Sequence, residues 1–476
     1  MGTRILHALG VLTVILGVSY PPALQGQTPD AIPIAEEFDS LHFRSIGPAT
    51  MSGRISDLAV YERNPAVYYV GTAHGGLWKT TSNGALFTPQ FQTEGLISVG
   101  DVTISQSNPD LVWVGAGEAN NRQSTSWGGG VWKSTDGGES FQFMGLAESR
   151  HINRIAIDPA NEDVVLVAAT GPLFGPGGDR GVFKTTDGGE NWTLVLSVDE
   201  DTGANDLVRV PTEPGTLYAS TYQRRRNACC MNGGGPGSGI WKSTDNGDTW
   251  TRLTGNGLPD GPLGRIALDV YRQDGNVVYA LIEGPRAPRG GGPTQETDAA
   301  AAQEEAPQPT NGLFRSDDGG GTWSHMSDTN PRPMYFSQLR IDPTNPDVVY
   351  LGGVGLHMSI DGGATFVTDA ARSTHDDVHA LWIDPNNSEH ILMGNDGGLA
   401  VSYDQSKTWA FIPNLPVGLF YHVSFDMEMP FNICGGMQDN YNWCGPSASR
   451  FRRGITNYDW FQIQGGDGFV AIPDRR

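Results

Sequence analysis

Positive charge is scarce in this chain. Against 53 Asp and Glu there are 31 Lys and Arg, which leaves a formal net charge of -22 over 476 residues. Nucleic acid and anionic membrane surfaces are therefore not expected as partners, because both require concentrated Lys and Arg. Arg224-Arg225-Arg226 is the one basic cluster, and its surroundings predict a solvated loop. Cysteine is also rare, at four residues. None stands with a His or a second Cys pair at ligand spacing, so no thiolate metal site is expected, and no metal is assigned. No cofactor is expected either. Long apolar runs are confined to the N-terminus, where Ala8 to Val18 follows Arg4 and ends at Pro21-Pro22. This reads as a signal peptide over residues 1–26, with a linker over 27–40. The run is too short for a stable span, and no later segment approaches about eighteen apolar residues. A secreted or periplasmic location follows, with no membrane span after signal cleavage.

What the chain has in quantity is glycine, 64 residues, and a recurring string around it. KSTDGGESF, KTTDGGENW, KSTDNGDTW, RSDDGGGTW, MSIDGGATF and VSYDQSKTW each place an aspartate two residues after Ser or Thr, ahead of two turn residues, and five residues before an aromatic. The aspartates are Asp136, Asp187, Asp245, Asp318, Asp361 and Asp404; KTTSNGALF is a seventh, degenerate copy with Ser82 in the slot. The last three aspartates are spaced by 43 residues, the length of one four-stranded propeller blade. Around each string the same order repeats. An alternating apolar strand ends in Asp-Pro or Asn-Pro (strand A), a β-branched run follows (B), Gly plus an apolar residue opens C, and the aspartate turn leads to D. Sheets this small cannot each bury a core, so they must stack radially. The predicted fold is an all-β propeller over 41–476. It has seven blades of this type and an eighth without the string, with Phe469 to Asp474 as the first strand of a further blade beyond the chain end. Leu41 to Ile46 is the expected closing strand.

The recurring aspartates are predicted to be structural. Asp in a Gly-rich turn accepts hydrogen bonds from its own hairpin, while the aromatic packs across strands.

Extra residues in blades 2 to 5 all enter between strands B and C, at Gly115 to Gly130, Gly171 to Gly181, Gln223 to Gly239 and Glu283 to Gly312. The last, over 283–312, is of low complexity. Blades 1, 6 and 7 have almost no insertion there, which predicts a face walled on one side and low on the other. Unusual polar residues gather on the low side: His375-Asp376-Asp377, His379, Asn395-Asp396, Gln438-Asp439-Asn440 and Asp467, with Glu118 and Arg122 across from them and Asp57 and Asp101 ahead of their A strands. Carboxylates crowded in this way repel one another unless hydrogen-bonded, metal-bound or protonated. Three readings stand: loop capping; ligand contact through His375, Asp376, Asp396, Asp439 and Glu118; or catalysis, by an Asp396 and Asp439 pair or a metal site at His375, Asp376 and His379. Cys434 and Cys444 flank one loop and are plausible disulfide partners, whereas Cys229 and Cys230 could pair with each other, link elsewhere or stay reduced.

The strings resemble the Asp-box, or BNR, repeat of sialidases, two-propeller xyloglucan hydrolases and the VPS10 domains of sortilin-type receptors. FRSIGP, GAGEANN, GNDGGLAVS, GGMQDN and GGDGF resemble bacterial exported proteins with a sortilin-like N-terminal domain, over roughly residues 40–474. That resemblance implies a peptide, protein or polysaccharide ligand held on the loop face; the alternative is glycoside hydrolysis of a β-glucan or xyloglucan-type polymer. In xyloglucan hydrolases an Asp-x-Gly-Gly string supplies each catalytic aspartate. The matching places here read Ala73-His74-Gly75-Gly76 and Asn395-Asp396-Gly397-Gly398.

Overall fold

The β-branched B runs become strands buried on both faces, such as Tyr68–Thr72 and Ile391–Asn395. Sheets must therefore cover them from either side. In the computed structural model, described for residues 44–92, 94–122, 125–284 and 310–474, each period forms an antiparallel meander. No α-helix occurs among the described residues, only the short 3-10 turns Ala147–Ser149 and Asn457–Asp459. The innermost strands of the seven blades are Ile55–Val60, Val99–Ile104, Ile152–Asp158, Thr202–Arg209, Ile266–Val270, Gln338–Asp342 and Val378–Ile383. Blade 6 is three-stranded, with an isolated Met358–Val367 bridge in place of its outer strand.

These inner strands lie side by side in chain order, and that of blade 7 returns against that of blade 1. Ile55, Tyr68 and Val70 of blade 1 pack with Ala380, Leu392 and Leu399 of blade 7, so the ring closes through apolar packing. Each fully buried aliphatic side chain contributes about 1.5–3 kcal/mol, and every blade shares such a seam with both neighbours. Of the expected closing strand Leu41 to Ile46, residues 41–43 lie outside the described residues and 44–46 are not in a strand. The signal peptide, the linker and most of the 283–312 insertion also lie outside the described residues.

Carboxylates latch the blades at the axis. Asp57 Oδ2 accepts from the Val102 N-H at 2.9 Å, Asp101 Oδ2 from Ile155 at 3.0 Å, Asp206 Oδ2 from Leu268 at 3.0 Å and Asp269 Oδ2 from Ile341 at 2.7 Å, each reaching the next blade. Arg154 bridges Asp101 at 3.3 Å and Asp206 at 3.1 Å. Asp57 and Asp101 therefore sit within their A strands and hold the ring, rather than ahead of those strands and facing the loop cluster.

The aspartate turns lie at the other radius, joining C to D. Asp187 Oδ1 accepts from the Asn191 N-H at 2.9 Å and from Thr185 Oγ1 at 2.7 Å, and Oδ2 from Asn191 Nδ2 at 2.8 Å. Thr185 Oγ1 in turn accepts from the buried Gly189 N-H at 3.0 Å. Asp136, Asp245, Asp318, Asp361 and Asp404 repeat this geometry, and Ser82 replaces it by accepting from Leu86 N-H at 3.0 Å. Gly189 is required by position: its φ is 99°, and a Cβ there would lie 2.7 Å from the Trp113 ring. Trp192 packs edge-on against Trp113 of the preceding blade and donates to Met144 O at 2.7 Å.

The eighth sheet, Phe420–Phe425, Asn432–Met437, Asn442–Pro446 and Phe461–Gln464, does not enter the ring. It docks on the residues leading into blade 1: Trp460 donates to Ile46 O at 2.7 Å, and the Gly53 N-H to Asn440 Oδ1 at 2.9 Å. Its outer face leaves Val423, Phe425, Phe461 and Ile463 exposed. Phe469 to Asp474 is not a strand; it lies along this sheet, with Phe469 stacked on Tyr421 at 4.7 Å and Ala471 against Cys434 and Cys444.

One further expectation is revised. Arg224-Arg225-Arg226 is not a solvated loop but the end of strand Leu217–Arg226, extended by a hairpin with Met231–Gly233, and Arg224 is 1% exposed. Both cysteine pairs are bonded, Cys434 to Cys444 across adjacent strands and Cys229 to Cys230 at the hairpin tip.

Candidate functional site

The short B to C turns of blades 1 and 7 leave the low side that their lengths predict, and the eighth sheet occupies it. Between that sheet and the walled side lies a polar cavity of about 550 Å3, lined by Arg54, Arg122, Arg226, Arg332, Tyr335, Asp377, Tyr421, Gln438, Asp439 and Asp467 among others. A cavity of about 650 Å3 opens at the opposite axial mouth, but its Arg154 and Asp269 are committed to the blade latches. Charged side chains that the ring latches do not use therefore gather at the loop-face cavity.

Arg54, just ahead of blade 1, is its hub. Nε and Nη2 grip both oxygens of Asp396 at 2.6 and 2.7 Å, Nη1 reaches Glu118 Oε1 at 3.2 Å, and Nη2 also donates to Asp439 Oδ2 at 3.2 Å. One guanidinium thus ties together blade 7, the blade 2 insertion and the eighth sheet, using the fork geometry that suits bidentate carboxylate binding. His379 donates Nε2-H to Asp396 Oδ1 at 2.8 Å, since a carboxylate only accepts. Glu118 is fully buried and also holds Arg122 Nε at 3.1 Å; Arg122 Nη1 donates to Gln438 Oε1 at 3.0 Å.

The two central carboxyls are pushed apart. Burial alone would raise the Asp396 pKa, but the His379 and Arg54 charges override it and hold this group well below the carboxylate range. Burial raises Asp439 to about 7, with the Asp396 charge adding and Arg54 opposing. Asp439 keeps 28% of its side chain exposed to the cavity and has a left-handed φ of 60°, a strained conformation for a non-glycine residue. Its N-H donates to Asp467 Oδ1 at 2.7 Å. Asp377, also left-handed at φ 64°, has its pKa raised by burial and then by Asp396.

The expected ligand set divides. Asp396, Asp439 and Glu118 converge on Arg54. His375 instead ties backbone, with its ring nitrogens at 3.0 Å from Asp376 O and 3.1 Å from Asp439 O, and the Asp376 side chain is exposed outside the cavity lining. His375, Asp376 and His379 are not brought together, and no metal-holding group of side chains occurs among the described residues. Arg54, Arg332, Tyr335 and Tyr421 went unrecognised in the sequence. Arg54, in FRSIGPATMSGR, had no neighbour in the chain to mark it.

No family model matches the chain. It is 25% identical over 255 residues to a xyloglucanase of a Paenibacillus species, covering 51% of this chain and 20% of that protein. It is 30% identical over 138 residues to a probable oligoxyloglucan-reducing end-specific xyloglucanase of Neosartorya fischeri, covering 27% of this chain and 15% of that one. Among solved structures, the GH74 xyloglucanase of Xanthomonas campestris superimposes with a TM-score of 0.58 at 16% identity, covering 83% of this chain and 59% of that one. The GH74 enzyme of Niastella koreensis gives 0.56 at 16% identity, over 84% and 60%. The chain thus spans a fifth or less of the curated relatives it matches, and about three-fifths of these structures. It is a β-propeller related in fold to xyloglucan hydrolases.

Proposed function

We propose that the loop-face cavity binds a polysaccharide chain and cleaves a glycosidic bond in it, with Asp439 as the proton donor to the departing sugar oxygen. One observation carries this reading: Asp439 opens into the cavity with its pKa raised to about 7, beside an Asp396 held ionised. Neighbouring carboxyls pushed in opposite directions are how one site keeps an acid protonated near neutral pH. Asp396, gripped by Arg54 and His379, contributes charge and position rather than contact with substrate. Both carboxyls meet the same Arg54 nitrogen, too close for a sugar and a water to fit between them, so the base comes from elsewhere. Asp377 and Asp467 line the same cavity and are the candidates. The similarity to xyloglucanases supports a β-glucan or related hemicellulose as the polymer.

The second reading is binding of a glycan or peptide without turnover. It is favoured by Ala73 and Asn395, which stand where the hydrolases' Asp-x-Gly-Gly string has its aspartates. Release of reducing ends from neutral and acidic plant polysaccharides separates the two. Turnover lost in Asp439→Asn, and in one of Asp377→Asn or Asp467→Asn, supports hydrolysis; binding with no turnover supports the second reading. Export of the chain, expected from its N-terminus, suits either ligand.

A further inference from the structure

A second recess opens among the loops of the same face, behind the wall of the first. The blade 2 and blade 3 insertions bound a cavity of about 360 Å3 lined by Thr125, Trp127, Arg150, His151, Leu173 and Phe174, among others. Its two aromatic rings face water: Trp127 is 67% exposed and Phe174 64%. The Arg150 guanidinium lies over the Trp127 ring at 4.6 Å and is itself held by Glu148 at 2.8 Å, which covers one face of the indole and leaves the other open. The partition between the two cavities is thin. Arg122 lines the first and Thr125 the second, and the Arg122 N-H donates to Thr125 Oγ1 at 3.0 Å. Arg226 and Leu173 repeat that arrangement, with the Arg226 N-H donating to Leu173 O at 2.9 Å. His151, in the second cavity, donates from Nδ1 to the backbone oxygen of Glu118 at 3.0 Å, and the Glu118 side chain belongs to the Arg54 hub.

Neither ring belongs to the apolar seams that join the neighbouring blades, so both forgo the burial that stabilises the rest of the ring. Two large aromatics on separate insertions, bounding one cavity, mark a binding surface rather than scattered exposure. Flat rings offer contact area at low entropic cost, with only two side-chain torsions to fix. A pyranose has the complementary form: apolar C-H faces that stack on an aromatic plane, and hydroxyls at its edge for a donor such as Arg150. We propose that this recess is a remote sugar-stacking subsite, in which Trp127 and Phe174 hold one unit of a glycan whose chain crosses the partition from the cavity of Asp439. The shared partition favours a glycan over an apolar peptide side chain, because a single polymer then fills both cavities. This rests on the polysaccharide reading and deepens it: the ligand is selected by length, as a chain that reaches from one cavity into the other.

The test is calorimetric titration of the full chain with short and long oligosaccharides of xyloglucan, mixed-linkage β-glucan and xylan, and with a peptide rich in Leu and Phe. The expected result is that at least one glycan binds and does so more tightly as its chain lengthens. Trp127→Ala and Phe174→Ala should each weaken the long probe by about tenfold, the effect of losing one aromatic anchor, and leave the short probe unchanged. Trp127→Tyr should retain part of the affinity. Both side chains are exposed, and wild-type melting curves for the variants exclude misfolding as the cause. Affinity independent of length, long-probe binding untouched in both Ala variants, or an equal loss for short and long probes overturns the inference and leaves the polysaccharide reading intact. Binding of the peptide alone, lost in Trp127→Ala, assigns the recess to a protein partner and overturns both. Failure of every probe to bind defeats the polysaccharide reading and the inference with it.

Discussion

Aspartate does opposite things at the rim of the ring and in the loop-face cavity. At the rim, Asp187 is solvent-facing, and hydrogen bonds from the Asn191 side chain and backbone and from Thr185 lower its pKa to about 2. In the cavity, burial beside Asp396 lifts Asp439 to about 7. The rim aspartates recur once per blade because every hairpin has the same donors to satisfy. Asp439 occurs once, on a strained turn, against an ion-pair hub drawn from three parts of the chain. Repetition here marks what the fold needs, and departure from the repeat marks the proposed site.

Exchanging one member of each set is the sharpest way to break that contrast. If the polymer is hydrolysed, Asp439→Asn should cut turnover by about 100- to 10,000-fold, the range for a lost general acid, with folding unimpaired at pH 8. Turnover in the wild type should decline as pH rises through about 7, as Asp439 loses its proton. Rates of reducing-end release across pH measure both.

Arg54→Ala tests the hub. It leaves Asp396 and Glu118 buried without their main partner, and breaking a buried pair from one side costs about 3–5 kcal/mol. Denaturant unfolding should show that loss, well above the effect of any rim change. Trp192→Ala comes next, at about 2–3 kcal/mol, because the indole is only half-buried and a fully buried ring costs about 3–5 kcal/mol.

The axial carboxylates predict a pH trend opposite to that of the rim. Burial raises Asp269 to about 6, so its stabilisation is complete below the unfolded value near pH 4 and is lost as pH rises through about 6. Asp269→Asn should remove on the order of 1–3 kcal/mol of that pH dependence in unfolding experiments between pH 4 and 8. For Asp187 the folded pKa is depressed, so its contribution is present above pH 4 and fades as pH falls through about 2. Asp187→Ala should produce the smallest effect, a modest drop in melting temperature at neutral pH with ligand affinity unchanged.

The blades were legible because they are local. Strand order, the Gly-x openings of C, the aspartate turns and the B to C insertions are all set by residues within one period. Ring closure was not, since the meeting of Ile55 with Ala380 and Leu392 depends on how seven twisted sheets add up, and it excludes the eighth sheet from the ring. The same limit applies to the site. Asp396, Asp439 and Glu118 could be picked out as polar residues in Gly-rich turns of the loop face. Their shared partner Arg54 lies 342 residues from Asp396 and 385 from Asp439, and no local pattern records that meeting. Arg224 misled for the same reason: three arginines in a row suggest solvent, and only the tertiary fold buries the first.

The proton on Asp439 can be followed directly. Carbon-13 labelling of aspartate side-chain carboxyls, with Asp439→Asn identifying the resonance by its disappearance, gives the titration of that single group. The expected midpoint is near 7 and falls toward the ordinary carboxylate range in Asp396→Asn, where the neighbouring charge is gone. A midpoint near 4 in the wild type would contradict it, leaving Asp439 as one more ionised carboxylate of the loop face.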